Sequence, residues 1–184
     1  MEISELLLAL LSICPEGIDG RTAIQKLGYL ASVSMKMDAG YYADLYGPYS
    51  ALVASQLQTL VELDFVVERA RQTVRNRTMY NYNLTGDGQS FAVRIQRRFP
   101  SEYFIIRRVV RKCSQIVHCN FLSLSWAAKV HFVLKQNDRA MTYDEAIKAS
   151  KSFGWELQED QVQAGVKLLT SLKLIETNVQ RVEK

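Results

Sequence analysis

The stretch from Tyr46 to Leu63, Y-G-P-Y-S followed by A-L-V-A-S-Q-L-Q-T-L-V-E-L, constrains the fold more than any other part of the chain. Gly47 and Pro48 break what precedes, and Pro48 sets φ for a helix start. Val53, Leu57, Leu60, Val61 and Asp64 recur at helical spacing, with Ser50, Ala54, Ser55, Gln58, Thr59 and Glu62 on the other side. A strand-like run, Phe65 to Glu68, follows without a linker. After an arginine-rich turn comes a second alternating run, Met79 to Leu84, and then L-T-G-D-G. Helix, strand, basic hairpin, strand and L-T-x-x-G are the outline of a winged helix-turn-helix.

The flanking segments extend that outline. A first helix is expected from Ile3 to Ile13, ended by Pro15 and Gly17, with Ile18 to Arg21 as a short extended link. Thr22 with Gln25 three residues on reads as a capping box opening a second helix toward Lys36. Ile24, Leu27, Leu30 and Ala31 form its apolar side, with Tyr29 at the rim. A compact helix-turn-helix turns in about three or four residues, yet here D-A-G-Y-Y-A-D-L-Y-G-P-Y intervenes. Its tyrosines, Tyr41, Tyr42, Tyr46 and Tyr49, allow two readings: rings capping the core and pinning a long loop, or a stacking and partner-binding surface.

Beyond the hairpin, Thr85 reads as the cap of a helix from Gly86 to Phe99, Pro100 as its end, and Ser101 as the cap of another running to His118. Ile106, Val109, Val110, Cys113, Ile116 and Val117 form an apolar stripe on that helix, while Arg107, Arg108, Arg111 and Lys112 gather on another face. Such a stripe, flanked by arginines, is expected to supply a homodimer contact. An amphipathic helix over Ala127 to Gln136, a capping box at Thr142 and Glu145, and Gly154 as a C-cap complete the helical part. V-K-L-L-T-S-L-K-L-I-E repeats L-Q-T-L-V-E-L-D-F-V-V: Leu57, Leu60 and Leu63 correspond to Val166, Leu169 and Leu172. The expected class is mainly α with a small antiparallel β-hairpin. Residues 1–99 form the winged helix and residues 100–184 a helical C-terminal lobe, either a second, wingless helix-turn-helix or a plain extension of the bundle.

Charge distribution bears on function. Residues 1–68 hold three basic groups against nine acidic ones, whereas residues 69–112 hold eleven against Asp87 and Glu102. A segment that basic beside an acidic neighbour points to an anionic partner, with nucleic acid first; the alternative is a solvated surface paired with the protein's own acids. Three cysteines without C-x-x-C spacing fit a reducing, cytoplasmic setting. Cys113, His118, Cys119 and His131 are zinc-type residues, but helical spacing points them apart, and no metal or cofactor is expected. The apolar run Leu6 to Ile13 is too short for a membrane span and follows Glu2 and Glu5 rather than basic residues. No phosphate loop, triad spacing or carboxylate pair suggests an enzyme.

R-T-A-I-Q-K-L-G-Y-L-A, Y-G-P-Y-S and L-x-x-L-V-E-L-D-F-V together resemble the YwgA-like group of prokaryotic proteins. They are similar, more distantly, to the Panacea domain of SocA-type antitoxins, which pairs K-L-x-Y-L with Y-G-P. The resemblance covers residues 6–70, with F-G-W-E-L at Phe153 to Leu157 looking like the C-terminal part of the same group. It implies a winged-helix fold and a regulatory role, and no catalytic residues.

The resulting expectation is a DNA-binding transcriptional regulator. Ser50, Ser55, Gln58 and Thr59 would face base edges. Arg69, Arg71, Arg75 and Arg77 on the wing, with Arg94, Arg97 and Arg98 beyond it, would hold phosphates. The third helix carries no Lys or Arg, and this favours the rival class: a non-catalytic antitoxin or adaptor that binds an acidic protein partner on the same scaffold.

Overall fold

A computed structural model describes residues 1–72 and 78–175. In chain order the elements are α1 (Ile3–Ile13), β1 (Ile18–Asp19), α2 (Arg21–Ser34), α3 (Ala51–Glu62), β2 (Val66–Gln72), β3 (Thr78–Leu84), α4 (Gly86–Arg98), α5 (Pro100–Val117), α6 (Phe121–Asn137), α7 (Tyr143–Ser150) and α8 (Glu159–Ser171). The three strands form one antiparallel sheet in the order β1-β3-β2, with Ile18 opposite Tyr82 and Val66 opposite Leu84. The fold is therefore mainly α with a small antiparallel hairpin, and α1 to β3 follow the winged-helix order.

The apolar run near the N-terminus is the central helix. Leu6 through Leu11 are all buried, because α1 is covered by α2, α3, α4, α5 and β3. The α5 stripe serves the same core: Ile106, Val109, Val110 and Cys113 are buried within the chain. Those four residues of the stripe are thereby used inside the chain, while Ile116 and Val117 at its end are half-buried. Residues of both expected segments, from Leu7 and Leu30 to Val130 and Leu169, belong to one continuous core.

Several local expectations need correction. The extended link is a strand: Ile18 and Asp19 pair with β3, and two residues are too few for alternation to reveal. α2 starts at Arg21 with Gly20 at its cap, so Thr22 and Gln25 form no capping box; Gln25 is buried and bonded elsewhere. Tyr29 lies in the core rather than at a rim. Pro100 does not merely end α4 but occupies the first turn of α5, where its missing N–H costs nothing, so Ser101 caps nothing. α6 starts six residues before the expected Ala127, capped by Asn120, and buries most of its middle. By contrast, Thr85 caps α4 by accepting from the Gly88 N–H, and Thr142 and Glu145 form their box.

The internal repeat has a structural counterpart. α3 and α8 end alike: Asp64 and Lys173 take left-handed φ values of 57° and 58°. Phe65 N–H then donates to Leu60 O, and Leu174 N–H to Leu169 O, at 2.9 and 3.0 Å. Both are closures that satisfy the last helical carbonyls. After the turn the copies diverge, because Val66 enters the sheet while the second copy forms no strand among the described residues.

Candidate functional site

The long loop between α2 and α3 is held from three sides. Tyr42 and Tyr49 exchange backbone hydrogen bonds at 3.0 and 2.9 Å, which closes the loop into a hairpin-like turn. The buried Lys26 ammonium donates to Pro48 O at 2.8 Å, joining the K-L-G-Y-L and Y-G-P segments directly. Burial, reinforced by the nearby Lys129 ammonium, lowers the Lys26 pKa to about 8, while Asp44 acts the other way. Trp155 Nε1–H donates to Asp44 O at 2.7 Å, so the F-G-W-E-L segment also pins the loop.

Ser50 corrects the base-reading set. It is fully buried: its hydroxyl donates to Ala39 O and accepts from Val53 N–H, capping α3. The Gln25 side chain holds its backbone, accepting from Ser50 N–H at 3.0 Å and donating to Ser50 O at 2.9 Å. A serine with every polar group bonded inside the fold offers nothing to a base edge. Ser55, Gln58 and Thr59 are exposed, but Gln58 donates to Glu62 at 3.0 Å and Ser55 to Leu52 O. The outer side of α3 also carries Leu52 and Leu63, 52% and 61% exposed.

The hairpin presents two different faces, because strand side chains alternate. On the side toward α3, Tyr82 donates to Glu68 at 2.8 Å and Arg21 donates to both; Gln58 borders the same hollow. On the other side stand Arg69 and Arg71, with Arg71 and Asn81 both donating to Asp19. The described wing arginines therefore face away from the helix expected to read bases. Arg75 and Arg77 lie outside the described residues.

The arginine-bearing side continues. Asn83 borders Gln89, Val93 and Gln96 of α4, and the turn Cys14–Gly17 leads on to Arg107 and Arg111 of α5. Arg94 sits over the Phe91 ring, and Arg98 over Phe99 while 3.8 Å from Glu5. Among the described residues, Arg71 and Arg98 are the basic groups of residues 69–112 that reach an acid. Arg69, Arg97, Arg107 and Arg111 are exposed and form no ion pair there. Arg107 and Arg111, one turn apart on α5, are additions to the expected set; the sequence shows their charge, but not that α5 meets the Cys14–Gly17 turn.

The zinc-type residues do not converge: among the described residues no group of three could hold a metal. Cys113 is in the core, and burial raises the Cys14 thiol to about 12, with Cys119 adding to it. His131 is buried against Tyr29 instead, with the Tyr29 hydroxyl 2.8 Å from Nδ1. Burial, and then Lys135, lowers the His131 pKa to about 4 from an ordinary 6.5. Between those values the unfolded chain binds more protons than the folded one, so stability falls as pH drops from 6.5 to 4. His131 is expected to contribute about 3 kcal/mol to that loss. His131→Gln should remove most of this slope, as read by urea unfolding at pH 7, 5.5 and 4.

No helix among the described residues is long and apolar enough to cross a membrane. No family model matches the chain, and no curated protein matches it.

Proposed function

We propose that this winged-helix protein is a cytoplasmic, non-catalytic transcriptional regulator that binds duplex DNA through the arginine-bearing side of its hairpin, α4 and α5. One observation carries the reading: in a segment of eleven basic groups and two acidic ones, the exposed arginines Arg69, Arg97, Arg107 and Arg111 find no carboxylate among the described residues. Their charge is free to replace the counterions of a phosphate backbone, and that replacement makes affinity depend on salt. α3 has a lesser part in this reading, since it offers neither a cation nor Ser50.

The test is a salt series on random duplex DNA. Arg107→Ala with Arg111→Ala is expected to weaken binding to all sequences and to flatten the slope of log K against log salt by about 2. Gln58→Ala should leave both affinity and slope as they were. An unchanged slope in the double arginine variant would sink the proposal.

A second reading has its own observation. Around α3 and the preceding loop, Leu45, Tyr46, Leu52 and Leu63 are more than half exposed, and Asp44, Glu62 and Asp64 are exposed there too. That surface suits a protein partner, as in an antitoxin or adaptor. Absence of DNA binding even at low salt would shift the assignment to this class.

A further inference from the structure

A cavity of about 750 Å³ opens between α2, the loop after it and α6, on a part of the molecule the DNA reading does not use. That volume is typical of small-ligand sites. Its inner end is built from Tyr29 and His131, both buried. Burial favours the neutral form of each, raising the phenol and lowering the imidazole. The Tyr29 hydroxyl lies 2.8 Å from Nδ1, and with that hydroxyl as the donor the imidazole proton resides on Nε2. Nε2 has no hydrogen-bond partner among the described residues, while the ring borders the cavity.

The wall is aromatic in one part and polar in another, where Ser32 and Gln136 line it. Tyr41 stands edge-on to Tyr29, with ring centres 5.0 Å apart, and Phe132 lies beyond. Exposed Lys36 and Lys135 stand at the mouth, Lys135 one turn along α6 from His131. The acids there are Asp38, which accepts from Gly40 N–H, and Asp138, while Arg139 is held by Glu145 at 3.0 Å. Of these charges it is Lys135 that acts on His131.

We propose that this cavity binds a small aromatic carboxylate, its ring against the Tyr41 and Phe132 rings and its carboxylate accepting from His131 Nε2–H beside Lys135. A donor at the inner end, a cation next to it and the Tyr41 and Phe132 rings together select a planar acid over a neutral amide of the same shape. The site also adjoins the start of α3. Ala39, in its wall, accepts from the Ser50 hydroxyl, and Tyr41 donates to Gln25 O at 3.0 Å, the residue that clamps Ser50. A ligand that presses on the Ala39–Tyr41 wall thereby bears on the N-cap of α3.

The proposal is independent of DNA binding and is tested without it. The full chain is titrated calorimetrically with 2-naphthoate and indole-3-acetate, and with 2-naphthamide as the neutral counterpart. The acids are expected to bind, with the amide at least about tenfold weaker, as for loss of a charge-assisted hydrogen bond. Lys135→Glu, on an exposed position that leaves the core intact, should weaken the acids about tenfold and leave the amide unaffected. The His131 Nε2–H resonance should move on adding 2-naphthoate. Absence of binding by both acids at millimolar concentration, equal affinity of acid and amide, or an unmoved His131 resonance would overturn the proposal.

Discussion

Gly88→Ala is expected to destabilise the protein by about 3 kcal/mol or more, although alanine is ordinarily the better helix former. Gly88 lies in the first turn of α4, and a Cβ there would sit 2.1 Å from Phe65 O. That oxygen is backbone and already accepts from Thr85 N–H at 3.1 Å, while the Thr85 hydroxyl donates to Asp64 O. Relief of the clash would lift α4 off the end of α3 and the start of β2, breaking both bonds. The neighbouring glycine of L-T-G-D-G gives the opposite sign. A Cβ at Gly86 meets nothing within 4 Å, so Gly86→Ala should stabilise by about 0.4–1 kcal/mol by restricting the unfolded chain. Thermal or urea unfolding of the two variants reads the contrast directly. Equal effects of the two would show that α4 does not pack on Phe65 as described.

Trp155→Ala should cost about 3–5 kcal/mol, the range for deleting a buried large aromatic. Trp155 is 1% exposed and packs with Phe132 and Phe153, with ring centres 5.7 and 5.2 Å away. Lys129 Nζ lies 5.5 Å from its ring centre, and its Nε1–H is bonded to Asp44 O. Loss of the ring therefore opens the core and releases the loop that carries Y-G-P-Y-S. Trp155→Phe separates the two roles. It retains most of the packing and removes one of the two donors to Asp44 O, leaving Gly47 N–H at 2.9 Å, so it should cost less, about 1–2 kcal/mol. Proteolysis within residues 42–49 should increase in both variants. If Trp155→Phe leaves that cleavage rate unchanged, the loop does not depend on this hydrogen bond.

How far the sequence could be read depended on whether each residue's partner was near in the chain. The third helix, the Thr85 cap and the Thr142–Glu145 box were legible because each rests on side chains within a few positions of one another, and the hairpin because its two runs alternate on either side of a short turn. Tyr29, Gln25 and Ser50 were misread for the converse reason. Tyr29 bonds His131, 102 positions away, and Gln25 bonds Ser50, 25 positions away. Such partners turn a rim tyrosine and a polar cap into core. The α5 stripe shows the same limit, since its apolar spacing was evident but not what covers it.

The arginine-rich composition of residues 69–112 and the winged-helix element order were determined by the sequence alone. Only the tertiary structure decided that Arg69 and Arg71 face away from α3, because strand alternation assigns side chains to opposite faces but docking chooses which face meets α3. Likewise, only packing brought Tyr29, Tyr41 and His131 around one cavity and Lys26 under Pro48. Each of those contacts joins segments whose spacing along the chain carries no periodic signal. Burial, rather than pattern, set the ionisation of Lys26 and His131.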